Sequence, residues 1–329
     1  MNNVFHIETI QELARRVREN VGQVIVGQER AIELLLVALV TEGHVLLEDV
    51  PGIGKTSLAR ALAASLGCSF SRIQFTPDLL PSDVTGIYYF NQKSGEFEYR
   101  AGPIFAQIVL ADKINRAGPR TQSALLEAMQ ERQVTVEGVT HALARPFLVL
   151  ATQNPVELEG TFPLPEAQVD RFLMRLSLGY PAREDELAIV RRYRDRSPLE
   201  SLQAVASTTD IVAASHRARQ VYVHPVVEEY IVDLARASRE EPALQLGVSP
   251  RGTLGLYHAS QALAALRGRD YVLPDDVKYL TGPVLTHRLL SSSQARLRAR
   301  PVGEILQAVV DRVPVPVEEV FGPREVHVA

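Results

Sequence analysis

Residues 44–66 read HVLLEDVPGIGKTSLARALAASL. The apolar run HVLLE at 44–48 has the length of a buried strand, and SLARALAASL at 57–66 sets Leu58, Leu62 and Leu66 on one helical face. Between them, DVPGIGKTS at 49–57 meets the phosphate-cradling template G-x-x-x-x-G-K-S/T at Gly54, Lys55 and Thr56, with Asp49 where the template begins with Gly. The chemistry still holds. Gly52 and Gly54 let backbone N–H groups turn toward phosphate oxygens with no Cβ in the way. The helix that begins at Ser57 points its positive end at the same anion. Lys55 brings a point charge to the outer phosphates, and Thr56 offers a hydroxyl to Mg²⁺. The alternative is a Gly-rich turn with an accidental GKT, which the strand–loop–helix context disfavours.

Outward from this loop, helices and strands alternate. ERAIELLLVALVTE at 29–42 spaces Ile32, Leu35, Leu36, Leu39 and Val40 as a helix, which Gly43 stops. SFSRIQF at 69–75 is strand-like, IFAQIVLA at 104–111 ends in a second buried strand, and TQSALLEAMQ at 121–130 is a helix. RPFLVLATQN at 145–154 and FLMRLSL at 172–178 supply two further core strands. Strands separated by helices predict an α/β fold, a parallel sheet covered on both faces, with ligands at the strands' carboxyl ends. Two segments read as hairpins: GEFEYR with SG as its turn, within 78–103, and QVTVEGVTHALARP at 133–146 with EG at its turn.

After GYP at 179–181 the pattern turns helical. PVVEEYIVDLARAS at 225–238 is amphipathic, and SPRGTLGLYHASQALAAL at 249–266 opens with Ser249 as N-cap and Pro250 at the first helical position. Helices also begin at LPDDVKYL, 273–280, and VGEILQAVVDRV, 302–313. The expected organisation is a nucleotide-binding core over 1–182, an all-helical lid over 183–290, and a C-terminal helix and extended or frayed tail over 291–329.

A chain of 329 residues is long enough for two domains. Its net charge of −4 gives no electrostatic footprint for nucleic acid. Cys68 is the only cysteine, so no internal disulfide forms, and a reducing, cytoplasmic setting fits best. MNNVFHIETI lacks the pattern of a signal peptide, and LLLVALV at 34–40 is far short of a membrane span.

The strand IVLA at 108–111 delivers Asp112 to the polar end of the sheet, where a carboxylate holds Mg²⁺ in phosphate-loop enzymes. A helix N-cap is the plainer use for such an Asp. The next residue is Lys113. A general base must accept a proton near neutral pH, and an ordinary Lys, with a pKa of about 10.4, is protonated. Lys113 therefore predicts severely impaired hydrolysis with binding retained. Its plainer use is to pair with Asp112 or a phosphate.

These motifs, in this order, resemble the MoxR family of AAA+ ATPases: VGQER at 26–30, LLEDVPGIGKTSLARALA at 46–63, QFTPDLLPSDVTG at 74–86, GPIFAQIVLADKINRA at 102–117, TQSALLEAMQERQVTV at 121–136, ATQNP at 151–155, GTFPLPEAQVDRFLM at 160–174 and VSPRGTL at 248–254. The resemblance runs from about Val24 to the end of the helical domain. It implies ATP or ADP with Mg²⁺ as ligands, an αβα sandwich followed by an all-α lid, and rings, hexameric by family habit. It casts Pro51, Gly52, Ile53, Gly54, Lys55, Thr56 and Ser57 as the Walker A loop. Thr56 and Asp112 become the metal contacts, and position 113 that of the catalytic Glu. Asn154 becomes the residue orienting the attacking water, Arg171 the finger reaching into a neighbouring subunit, with Arg116 a competitor, and Arg251 a phosphate sensor on the lid. Val26 and Gly27 would border the adenine. Asp49 in the template's first Gly position is usual for the family. Lys113 is not, and points to an engineered or selected variant or to a natural member that no longer cycles.

The leading expectation is a ring-forming remodelling ATPase or chaperone, working by family habit with a von Willebrand factor A-domain protein or a client. A non-hydrolysing ATP-binding scaffold is the second reading. A nucleic-acid motor is the third, disfavoured by the acidic balance and the lack of a basic-aromatic segment.

Overall fold

The computed structural model describes residues 7–154, 160–194 and 196–316. The tail beyond 316, expected to be extended or frayed, lies outside the described residues. Internal contacts divide the chain into two compact units, with the division between residues 216 and 217.

The first unit runs α1 (Ile7–Gly22), α2 (Glu29–Val40), β1 (Val45–Glu48), α3 (Lys55–Ser65), β2 (Phe70–Gln74), α4 (Pro81–Thr85), β3 (Gly86–Asn91), β4 (Glu96–Ala101), β5 (Ile108–Asp112) and α5 (Pro119–Glu131). It continues with β6 (Gln133–Val136), β7 (Val139–Ala142), β8 (Leu148–Gln153), α6 (Glu166–Val169), β9 (Met174–Leu176) and α7 (Arg183–Arg192). Five strands form one sheet in the order β2-β5-β8-β1-β9, and every pairing is parallel. β1, β5 and β8 are apolar runs because they lie inside the sheet with both faces covered. β2 is an edge strand in which only Ile73 is buried. This is the expected α/β core. Helix α1, which the sequence reading did not anticipate, buries Ile10, Leu13, Ala14, Val17 and Val21 at helical spacing and packs on α2 and α3.

Both expected hairpins form. β3 pairs antiparallel with β4 and β6 with β7. The second turn places Glu137 and Gly138 at φ 51° and 82°, the left-handed pair that a two-residue hairpin loop requires. The hairpins meet through Tyr99, stacked on His141 with ring centroids 4.0 Å apart.

His44 closes the sheet against α5. It is buried, its Nδ1 accepts from the Val149 N–H at 3.0 Å, and its Nε2 donates to the Met129 carbonyl at 2.9 Å. Both roles require the neutral ring. Burial pushes the imidazole pKa down to about 4, opposed by the Met129 bond and aided by Arg132.

α8 (Thr208–Ala218) lies where the chain passes between units. The second unit contains α9 (Pro225–Glu240), β10 (Leu244–Leu246), α10 (Pro250–Leu266), α11 (Pro274–Leu285), β11 (Leu290–Ser291), α12 (Ser293–Leu297) and α13 (Val302–Arg312). It is helical as expected, with the addition of an antiparallel pair, β10 with β11. Ser249 caps α10, its Oγ accepting from the Gly252 N–H at 3.2 Å. The buried Asp276 carboxylate at the start of α11 accepts from the Leu273 N–H at 2.9 Å and from Arg269 at 2.6 and 2.7 Å. No helix among the described residues is long and apolar enough to cross a membrane.

His44 makes acid destabilising. Its folded pKa lies below the unfolded value, so the unfolded chain takes up the proton first, and stability falls as pH drops from about 6.5 to about 4. A loss of about 3 kcal/mol is expected across that window. Denaturant titrations at the two pH values check it, and a His44→Gln variant should show a smaller loss.

Candidate functional site

The register of the central strands assembles one polar edge. Glu48 aligns with Gln153 across β1 and β8, and Ala111 aligns with Ala151 across β5 and β8. The loop after β1, the end of β5 and the end of β8 therefore leave the sheet side by side. A cleft of about 290 Å³ lies there. Pro51, Gly52, Gly54, Lys55, Thr56 and Ser57 line it from one side, and Asp112, Lys113, Asn154 and Arg72 also border it.

The loop turns at its two glycines. Gly52 and Gly54 have φ of 88° and 86°, which a side chain would strain, and Gly54 caps α3. The Lys55 ammonium donates to the carbonyls of Asp49 at 2.9 Å and Val50 at 3.1 Å. Burial lowers its pKa from the ordinary lysine value. Asp49 and Asp112 oppose that shift, and the positive charge of Lys113 adds to it.

Asp49 takes no part in that turn through its side chain. Its buried carboxylate accepts from Ser177 Oγ at 2.7 Å and from the backbone N–H groups of Leu178 at 2.6 Å and Gly179 at 3.3 Å. It ties the phosphate loop to the segment leaving β9, and Gln28 ties the same segment by donating to the Leu178 carbonyl at 3.0 Å. This explains an acid in the template's first Gly position. The only sequence signal was a charge at the end of an apolar strand; its partners lie too far along the chain to be read.

At the end of β5, Thr152 Oγ1 donates to Asp112 Oδ1 at 2.7 Å and accepts from the Lys113 N–H at 2.8 Å. Arg72 Nη2 and Nε both donate to Asp112 Oδ2, at 2.6 and 3.1 Å. Neither Thr152 nor Arg72 was expected from the sequence. Lys113 has φ 59° and ψ 53°, a left-handed conformation uncommon outside glycine. Arg116 sits in the turn that follows, its N–H donating to the Lys113 carbonyl at 2.8 Å.

Val26, Gly27, Ile53 and Arg171 are not among the residues that line the cleft. Val26 and Gly27 are half-buried beside α7, where Tyr193 reaches the Val24 carbonyl and Asp185 abuts Gly27. Ile53 is half-buried within the loop. Arg171 follows α6. Arg251 is exposed in the first turn of α10, in the second unit.

The donor set suits Mg²⁺ rather than a softer metal. Thr56 and Asp112 offer hard oxygen ligands, and no group of three or more His, Cys, Asp or Glu side chains gathers among the described residues to make an all-protein cage. Mg²⁺ commonly takes one or two protein oxygens and completes its shell with phosphate and water.

Residues 44–174 match the ATPase family associated with various cellular activities (AAA), and residues 236–309 match an AAA lid domain. The uncharacterized protein YeaC of Bacillus subtilis is 50% identical over 94% of this chain and 97% of its own length. The chaperone MoxR1 of Mycobacterium tuberculosis is 44% identical over 87% of this chain and 78% of its own. The protein MoxR of Methylorubrum extorquens is 33% identical over 93% of this chain and 96% of its own. The chain belongs to the MoxR family of AAA+ ATPases. A crystallised candidate ATPase from Cytophaga hutchinsonii shares the fold, with a TM-score of 0.89 at 40% identity over 94% of this chain and 97% of that one.

Asp49→Ala should remove the acceptor from three donors at once. Stability should fall by about 3 kcal/mol in denaturant titrations, with faster amide exchange at 178 and 179.

Proposed function

We propose that this MoxR-family chain binds Mg·ATP in the cleft between the phosphate loop and Asp112, and that it hydrolyses the nucleotide poorly. One observation carries the second half: Lys113 borders the cleft directly after Asp112. A protonated lysine there cannot accept a proton from the attacking water. The geometry of the loop supports binding. Gly52 and Gly54 hold the left-handed backbone, Lys55 and Thr56 border the same space, and Asn154 stands at the end of β8 with an amide able to orient a water.

In this reading the chain is a ring-forming remodelling factor, and Arg171, just after α6, acts as the finger offered to the next subunit. The family resemblance gives Arg251 the role of phosphate sensor. Val26 and Gly27 border the adenine. A von Willebrand factor A-domain protein or another client is the partner class, an inheritance from the family. The chain as it stands favours the ATP-bound state. A natural non-hydrolysing scaffold is the second reading, supported by the same Lys113.

Steady-state phosphate release and nucleotide binding test this together. Lys113→Glu should raise turnover by about 10²- to 10⁴-fold while leaving nucleotide affinity within a few-fold. If the variant binds but stays silent, the site lacks more than a base, and the scaffold reading replaces this one. In the Lys113→Glu background, Arg171→Ala should abolish turnover without abolishing binding.

A further inference from the structure

We propose that Arg72 competes with the divalent cation for Asp112, so that it acts as a positioning residue setting the metal dependence of nucleotide binding. The proposal rests on the nucleotide-binding reading above.

Sheet geometry brings the two together. Arg72 on β2 aligns with Leu110 on β5. Side chains two apart on a strand share a face, so Asp112 lies on the same side one diagonal step along, within reach of a long side chain. Both contacts from Arg72 fall on Oδ2, while Oδ1 is taken by the Thr152 hydroxyl. Each oxygen of the carboxylate expected to face the metal already accepts a hydrogen bond.

Accessibility decides which partner yields. The Arg72 side chain is 45% exposed, and that of Asp112 is 17% exposed and tied to Thr152. The guanidinium can swing from its edge strand into solvent or toward an incoming phosphate, while the carboxylate stays in place. The local charge points the same way. Lys55, Lys113 and Arg72 border the cleft, and of the two carboxylates there Asp49 is committed to Ser177, Leu178 and Gly179. A triphosphate would supply the negative charge that lets Arg72 leave Asp112, and the freed Asp112 carboxylate would then be available to hold the metal. The contact thus holds Asp112 oriented and charge-compensated while no nucleotide is bound.

The test is calorimetric titration of ATP in EDTA and in excess Mg²⁺, on the parent chain, Arg72→Gln, Arg72→Lys, Asp112→Asn and the Arg72→Gln/Asp112→Asn double variant. The readout is the metal advantage, the ratio of Kd in EDTA to Kd in Mg²⁺. Removing a partly exposed ion-pair competitor should raise this ratio about fivefold in Arg72→Gln. Arg72→Lys should restore part of the parental value. Asp112→Asn should reduce the ratio, and adding Arg72→Gln should then change nothing, because the competition acts through Asp112. An unchanged ratio in Arg72→Gln, whether or not both affinities fall together, would overturn the proposal and leave Arg72 a phosphate contact or a strand residue. A ratio that still rises in the Asp112→Asn background would also overturn it. Failure of the parent to bind ATP under either condition removes the nucleotide-site reading, and this proposal with it; binding with an unresponsive ratio removes this proposal alone.

Discussion

The parallel register of β5, β8 and β1 is the constraint on which the site depends. Glu48 lies beside Gln153, and Ala111 beside Ala151, so the loop after β1 and the carboxylate after Ala111 open on the same edge with one strand between them. A one-residue slip would turn Asp112 to the opposite face and send its apolar neighbours out of the core. Burial of Val45, Leu46, Leu47, Val109, Leu110, Val149 and Leu150 on both faces makes that slip costly. The hydrophobic content of three short strands therefore fixes polar distances that no polar residue could fix alone.

On that frame, two carboxylates serve as ties at the strand ends. Asp49 joins the phosphate loop to the chain leaving β9, and Asp112 joins β5 to β8 through Thr152 and to β2 through Arg72. Backbone groups at the ends of parallel strands have run out of ladder partners and must be satisfied elsewhere. Asp49 does this for Leu178 and Gly179, and Thr152 does it for Lys113. The same bonds hold the loop and the acid against local motion, so satisfying the backbone and preorganising the site are one act.

What the sequence disclosed follows from how local each signal is. The phosphate loop, the strand ending at Asp112, the Ser249 cap and the Glu137–Gly138 turn are encoded within a few residues, and each stands where the pattern placed it. The partners of Asp49 come from β9's exit, and the partner of Arg72 depends on strand register; neither can be read without the sheet order. Helix α1 was missed although its apolar spacing is regular, because its polar face carries most of its residues and the motif pattern begins only near Val24. Val26 and Gly27 illustrate a further limit. Gly27 meets Asp185 of α7, a helix that no local signal assigns to that position.

Lys113 shows how separable chemistry and architecture are at such an edge. Its left-handed backbone is held by its own N–H on Thr152 Oγ1 and by its carbonyl, which accepts from the Arg116 N–H. Both bonds are made by the main chain, so any residue with an N–H can make them, and the cost of a positive φ is similar for lysine and for glutamate. The backbone geometry alone therefore does not distinguish the two at this position. Exchanging one for the other changes the cleft by two units of charge and exchanges a proton acceptor for a proton donor, while the strand, the turn and the Thr152 bridge need not move. A site built this way can lose its base and keep its shape, which is why nucleotide binding and turnover must be judged from different residues of the same cleft.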